Sequence, residues 1–156
     1  MKKVIRLIIC FALPLLAGFL GSFFTRSYID DWYSLLEKPF FSPPNYLFAP
    51  VWITLYLFMG LACYLIWQKI DEHYAVREAM GIYWVHLFLN AIWTPIFFGL
   101  HSPAIALVII LLLWFLIIAL IFKFWNINKE ASYLFIPYLI WVSFAIILNY
   151  NILILN

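Results

Sequence analysis

Residues 79–122 read AMGIYWVHLFLNAIWTPIFFGLHSPAIALVIILLLWFLIIALIF, 44 residues without one Asp, Glu, Lys or Arg. A helix that crosses the apolar slab of a bilayer needs about 20 such residues. The run is therefore long enough for two spans, and Gly99-Leu100-His101-Ser102-Pro103, small, polar and closed by proline, marks a tight turn between them. Working outward, uncharged windows at 7–25, 39–68 and 131–156 each hold one more span. These windows predict an all-α integral membrane protein. They place a single transmembrane domain over 1–156, one bundle of five helices at about 5–25, 47–68, 80–99, 104–125 and 131–153.

Composition agrees. The chain is 68% hydrophobic, 22% aromatic and 10% charged, with a mean hydropathy of +1.04. An average soluble domain carries about 25% charged residues, so a water-soluble globule is excluded. The same apolar content excludes a disordered chain. The net charge of +2 carries no basic stripe, and no nucleic-acid partner is expected. Cys10 and Cys63 both lie inside apolar runs and read as small core residues rather than a disulfide or metal site. Lys2-Lys3 followed by the apolar run Ile8 to Leu20 has the look of a signal peptide, but no Ala-x-Ala cleavage site follows, so the segment is read as the first span.

Seven of the nine Lys and Arg residues fall on the N-terminal side of the alternating topology: Lys2, Lys3, Arg6, Lys69, Arg77, Lys123 and Lys129. Arg26 and Lys38 fall on the other. The positive-inside rule then puts the N-terminus in the cytoplasm and the C-terminus outside, in a cytoplasmic-type cell membrane. One connection is long. Residues 26–46 hold Trp32, Phe41, Pro43 and Pro44, a stiff aromatic loop with the character of a lid over the bundle or of a plain interfacial connector.

Three helical faces carry aromatics together with hydrogen-bonding groups. They are Trp52, Tyr56, Gly60, Cys63 and Trp67 on the second span; His86, Asn90, Trp93 and Phe97 on the third; and Tyr138, Trp141, Ala145 and Asn149 on the fifth. Polar side chains inside a span usually face a partner helix or a cavity, so these faces suit a flat, largely apolar ligand. Trp67, Trp84 and Trp125 stand near span ends and read as interface anchors. His86 is the one histidine well inside a span, with His73 and His101 in connections. A bis-histidine haem site needs two facing imidazoles; no obligatory cofactor and no metal site are expected. Ser143 has no acid in its span to build a triad. On the first span, Ala17-x-x-x-Gly21 and Gly18-x-x-x-Ser22 allow close helix approach, within the bundle by preference or else between subunits.

Residues 32–44, WYSLLEKPFFSPP, followed by Phe48-Ala49-Pro50-Val51-Trp52 and Leu55-Tyr56, closely resemble the translocator protein family, also called tryptophan-rich sensory proteins or peripheral-type benzodiazepine receptors. The resemblance continues through residues 89–99, LNAIWTPIFFG. It runs on through Pro137-Tyr138-Leu139-Ile140-Trp141, Phe144-Ala145 and Leu148-Asn149-Tyr150. It spans essentially the whole chain. It implies a five-helix membrane bundle, often a homodimer, with a cavity beneath the first long loop that takes protoporphyrin, haem-related tetrapyrroles, sterols in some lineages and synthetic benzodiazepine-site ligands. Trp52 and Trp141 match cavity tryptophans tied to porphyrin binding and to a proposed light- and oxygen-dependent breakdown of the ring; Asn90 and Trp93 match third-helix cavity positions; Ala145 matches a small residue whose enlargement alters affinity.

There are two departures from the family pattern. Phe41 replaces the usual Trp, and Tyr150 is followed by no Lys or Arg, so the sterol pattern is incomplete. The expected ligand-binding set is Trp52, Tyr56, Asn90, Trp93, Tyr138, Trp141 and Ala145. The expected function is a membrane receptor or transport protein for porphyrins. The alternatives are an enzyme that degrades protoporphyrin through Trp52 and Trp141, and a structural membrane protein.

Overall fold

The computed structural model describes residues 2–71 and 74–156. Its five long helices are α1 (Lys2–Tyr28), α2 (Phe48–Trp67), α3 (Tyr74–Thr94), α4 (Pro103–Ile127) and α5 (Lys129–Leu155). All five are long and apolar enough to cross a membrane. In hydrocarbon a backbone N–H or C=O has no water to bond, so a spanning segment must satisfy its own backbone as a helix.

The helices outrun the expected spans at most ends, because hydropathy registers the lipid-soluble length and helices continue into the polar interface. α1 runs to Tyr28 and shortens the long loop to 29–47; α3 begins at Tyr74 rather than 80. His73 lies outside the described residues. α4 and α5 are separated by Asn128 alone, whose extended backbone (φ −155°) reverses the chain while its side chain accepts from the Ala131 N–H. At the expected turn α3 widens into a π-helical turn over Pro95–Gly99. His101 adopts φ +50°, and Ser102 caps α4 ahead of Pro103.

Neighbouring helices form a closed ring in the order α1, α2, α5, α4, α3. The small residues of α1 turn into this ring. A Cβ on Gly18 would run into the Tyr56 ring, one on Gly21 would stand 3.2 Å from the Thr94 hydroxyl, and Ala17 is buried. They permit close packing inside the bundle, in line with the preferred sequence reading. The Cys10 and Cys63 thiols, buried core groups as expected, meet across α1 and α2 with Sγ atoms 2.9 Å apart, a proximity that spacing does not reveal. Large apolar side chains such as Phe19, Phe23, Phe88, Phe115 and Phe122 point outward, as a lipid-facing surface requires.

Two ends follow from the topology. At one lie the start of α1 and the α2–α3 and α4–α5 connections, tied by Arg6–Asp71 (3.7 Å), Lys123–Glu78 (2.8 Å) and a Lys69 bond to the Ile127 carbonyl (2.8 Å). At the other lie the 29–47 loop, the 99–102 turn and Asn156, which donates to and accepts from the Glu37 backbone at 3.0 and 2.9 Å.

Candidate functional site

The half of the bundle nearer the α2–α3 connection is solid. Met59, Ile66, Tyr83, Ile117, Leu120, Phe124 and Phe135 are all fully buried there. Toward the loop the ring opens around a cavity of about 300 Å³ to which every helix contributes. Gly18 and Gly21 border it on α1; Trp52 and Tyr56 face it from α2, Asn90, Trp93 and Phe97 from α3 and the turn after it, Leu113 from α4, and Trp141, Ala145 and Asn149 from α5.

Six of the seven expected ligand residues thus reach one wall: Trp52, Tyr56, Asn90, Trp93, Trp141 and Ala145. Tyr138 does not. The stripe on α5 gives its face correctly but not its depth; it is fully buried behind the wall, with Trp52 edge-on to it at 6.3 Å. The third-span stripe divides in the same way. Asn90, Trp93 and Phe97 line the cavity, whereas His86, one turn deeper, is enclosed by Tyr83, Phe135 and Tyr138.

A single line of hydrogen bonds makes the cavity floor. The Tyr56 hydroxyl donates to Asn90 Oδ1 (3.0 Å), and Asn90 Nδ2 donates to the Tyr138 hydroxyl (2.8 Å), which is 3.0 Å from His86 Nε2; His86 Nδ1 is 3.1 Å from the Tyr83 carbonyl. A carbonyl can only accept, so Nδ1 carries the proton, Nε2 accepts, and Tyr138 donates to it. Every bond then runs one way, from the cavity into the core. Both His86 nitrogens are engaged in these bonds. Ser143 is similarly engaged, accepting from Trp114 Nε1 (2.8 Å) and donating to the Leu139 carbonyl (2.8 Å).

The walls are flat rings in near-parallel pairs. Trp52 lies on Tyr56 (5.5 Å, 28°) and Trp93 on Phe97 (5.0 Å, 18°), while Trp141 meets Phe48 edge-on at 6.0 Å. Of the cavity-lining residues, two carry a buried polar atom with no partner among the described residues: Trp93 Nε1, and Asn149 Oδ1, whose amide nitrogen holds the Pro103 carbonyl at 2.9 Å.

The loop reaches the mouth, and the four residues singled out above are not among those that line it. Trp32 stacks on His101 (4.6 Å, 16°) and touches Phe97 edge-on; Phe41 meets Phe144 at 6.3 Å; Pro43 and Pro44 lie away from the lining. The loop residues that reach the cavity are Ile29, Tyr33 and Asn45. Tyr33 is buried against Phe97 and Phe98, and burial pushes its phenol above the ordinary range. Sequence reasoning passed over Tyr33 because a loop has no periodicity to mark its inward side. Arg26 at the mouth was read only as a topological charge.

The TspO/MBR family model matches residues 10–155. The chain is 40% identical to the "Tryptophan-rich protein TspO" of Chlorobaculum tepidum over 99% of this chain and 98% of that one. It is 39% identical to the "Translocator protein" of Bos taurus, covering 89% and 83% of the two chains. With the "Tryptophan-rich sensory protein" of Cereibacter sphaeroides it shares 35% identity over 81% and 78%.

Proposed function

The chain belongs to the TspO/MBR family of membrane proteins, and on that premise we propose that it is a receptor or carrier for protoporphyrin and haem-related tetrapyrroles, held in the cavity beneath the 29–47 loop. The observation that carries this reading is the cavity wall itself, where Trp52, Trp93 and Trp141 border a space lined mainly by apolar and aromatic side chains. Such a wall stacks on a planar apolar ring and offers it little else. The volume of about 300 Å³ is at the lower end for ligand sites. A macrocycle with its substituents therefore enters fully only when the loop shifts, which suits the mixed anchoring of that loop. The sensory role named for the Cereibacter sphaeroides relative fits the same geometry, since a ligand that moves the loop changes the surface presented outside the bilayer.

The proposal extends to the surroundings. The tetrapyrrole is a ligand rather than a resident cofactor. The protein resides in a cytoplasmic-type cell membrane, as a homodimer, with the N-terminus inside; the concentration of Lys and Arg at that end supports the orientation. A reporter fused at Asn156 should be active only on the external side.

The second reading, photo-oxidative breakdown of protoporphyrin, draws on the same indoles. Trp52 and Trp141 both line the cavity, and the described lining holds no carboxylate or imidazole to act as acid or base. One experiment separates the two. Purified protein is titrated with protoporphyrin while tryptophan fluorescence is followed, then illuminated with and without oxygen, alongside Trp52→Phe and Trp141→Phe. Saturable quenching without a new absorbing product supports the receptor. An oxygen-dependent product lost in the two variants supports the enzyme, and no saturable quenching overturns both.

A further inference from the structure

Of the side chains lining the cavity, Arg26 alone is charged. It is an exposed residue in the last turn of α1, and no other lining side chain carries a charge that could neutralise it. Asp30, one helical turn further along, makes no ion pair with it; among the described residues the ion pairs are Arg6–Asp71 and Lys123–Glu78, both at the far end. Lys38, the other cation at the loop end, is engaged, with its ammonium 4.7 Å from the Tyr33 ring centroid and 3.4 Å from the Ser34 carbonyl. Arg26 has no hydrogen-bond or ionic partner among the described residues. An arginine at a span end ordinarily reaches outward to lipid phosphate; this one borders a cavity that is otherwise neutral.

We infer that Arg26 is an anionic subsite at the cavity mouth and that the ligand is an amphipathic acid, its flat apolar body inside and its carboxylate on the guanidinium. The inference rests on the tetrapyrrole reading and deepens it. Protoporphyrin carries two propionate carboxylates on one edge of the ring, so the opposite, apolar edge enters first and the acids stay at the wet mouth. A guanidinium is permanently charged and presents paired donors to a carboxylate. Because the site is exposed, the attraction is screened, and roughly a fivefold preference at low salt is expected.

The test compares protoporphyrin with its dimethyl ester, titrated against the full chain in nanodiscs of uncharged lipid, for the parent, Arg26→Gln and Arg26→Lys. The expected result is that Arg26→Gln lowers the acid-to-ester affinity ratio roughly fivefold by weakening the acid alone, that high salt does the same to the parent, and that Arg26→Lys keeps part of the preference. A ratio unchanged in Arg26→Gln overturns the subsite, as does an equal loss for both compounds, which would mark Arg26 as a general support of the wall. Failure of the underlying reading looks different: neither compound then binds saturably to the parent, and both proposals fall.

Discussion

Around Phe124 and Phe135 the bundle is filled with rings meeting at tilted or edge-on angles. Phe135 alone touches Tyr83, His86, Phe124 and Tyr138 at centroid distances of 6.3, 5.7, 5.2 and 5.7 Å. Around Trp52, Trp93 and Trp141 the same residue class stands part-exposed about an open space. The difference is not one of hydrophobicity, since both regions are lined by aromatic and aliphatic side chains. It lies in what faces the rings. In the solid half Phe124, Phe135, Ile117 and Leu120 are fully buried; in the hollow half Trp52, Trp93 and Trp141 are only partly buried and border an open space. Between them runs the Tyr56–Asn90–Tyr138–His86 line, which closes the floor because each hydroxyl and amide in it is already bonded away from the cavity. Packing without voids stabilises; a held-open space bordered by planar rings binds.

Truncation in each half is the strongest way to break that distinction. Phe135→Ala should cost about 3–5 kcal/mol in unfolding stability, read by thermal or denaturant unfolding in detergent. Trp141→Ala, already beside open space, should cost less than half as much while abolishing saturable protoporphyrin quenching. Equal stability costs would mean that the hollow half is packed after all. Next in size is the floor. Asn90→Leu leaves the Tyr56 and Tyr138 hydroxyls each one partner short, a loss of about 1–3 kcal/mol, and should weaken ligand and fold together, where Trp141→Ala separates them.

The loop sharpens the comparison at smaller scale. Asn156→Ala removes the paired bonds to the Glu37 backbone and should cost about 0.5–1.5 kcal/mol locally. It should be seen as faster amide exchange in 29–47 with exchange across Phe124 and Phe135 unchanged. Smallest at neutral pH is the Tyr33 effect. Its phenol is pushed above 10.0 by burial, so the docked loop favours the protonated form. Docking is fully stable below about pH 10 and weakens as pH rises past that value, because the undocked phenol ionises first. Tyr33→Phe should remove this alkaline loosening, measured by the same exchange.

Much of this was legible in the sequence, and the part that was not has a common cause. Uncharged runs with a Gly-Leu-His-Ser-Pro break locate five spans because lipid admits only self-satisfied backbone. Helical spacing put Asn90, Trp93, Trp141 and Ala145 on inward faces. Spacing carries no depth, however, so it grouped His86 and Tyr138 with residues that line the cavity, although both lie deeper than the lining. Nor does it report contacts between distant elements, so the Cys10–Cys63 approach and the Asn156–Glu37 pairing had no local signal. The loop lacked even a period. There Trp32 drew notice by its size, while Tyr33 beside it reaches the cavity.

Under the proposed function, a planar tetrapyrrole sits in the space between the tryptophans. Ala145→Phe fills that space from α5 without touching the floor or the solid half. Titration with protoporphyrin, followed by tryptophan fluorescence together with the melting temperature, should show at least about a tenfold loss of affinity, near 1.4 kcal/mol, with melting essentially unchanged. Affinity undiminished in a folded Ala145→Phe protein would contradict the account and place the ligand elsewhere on the bundle.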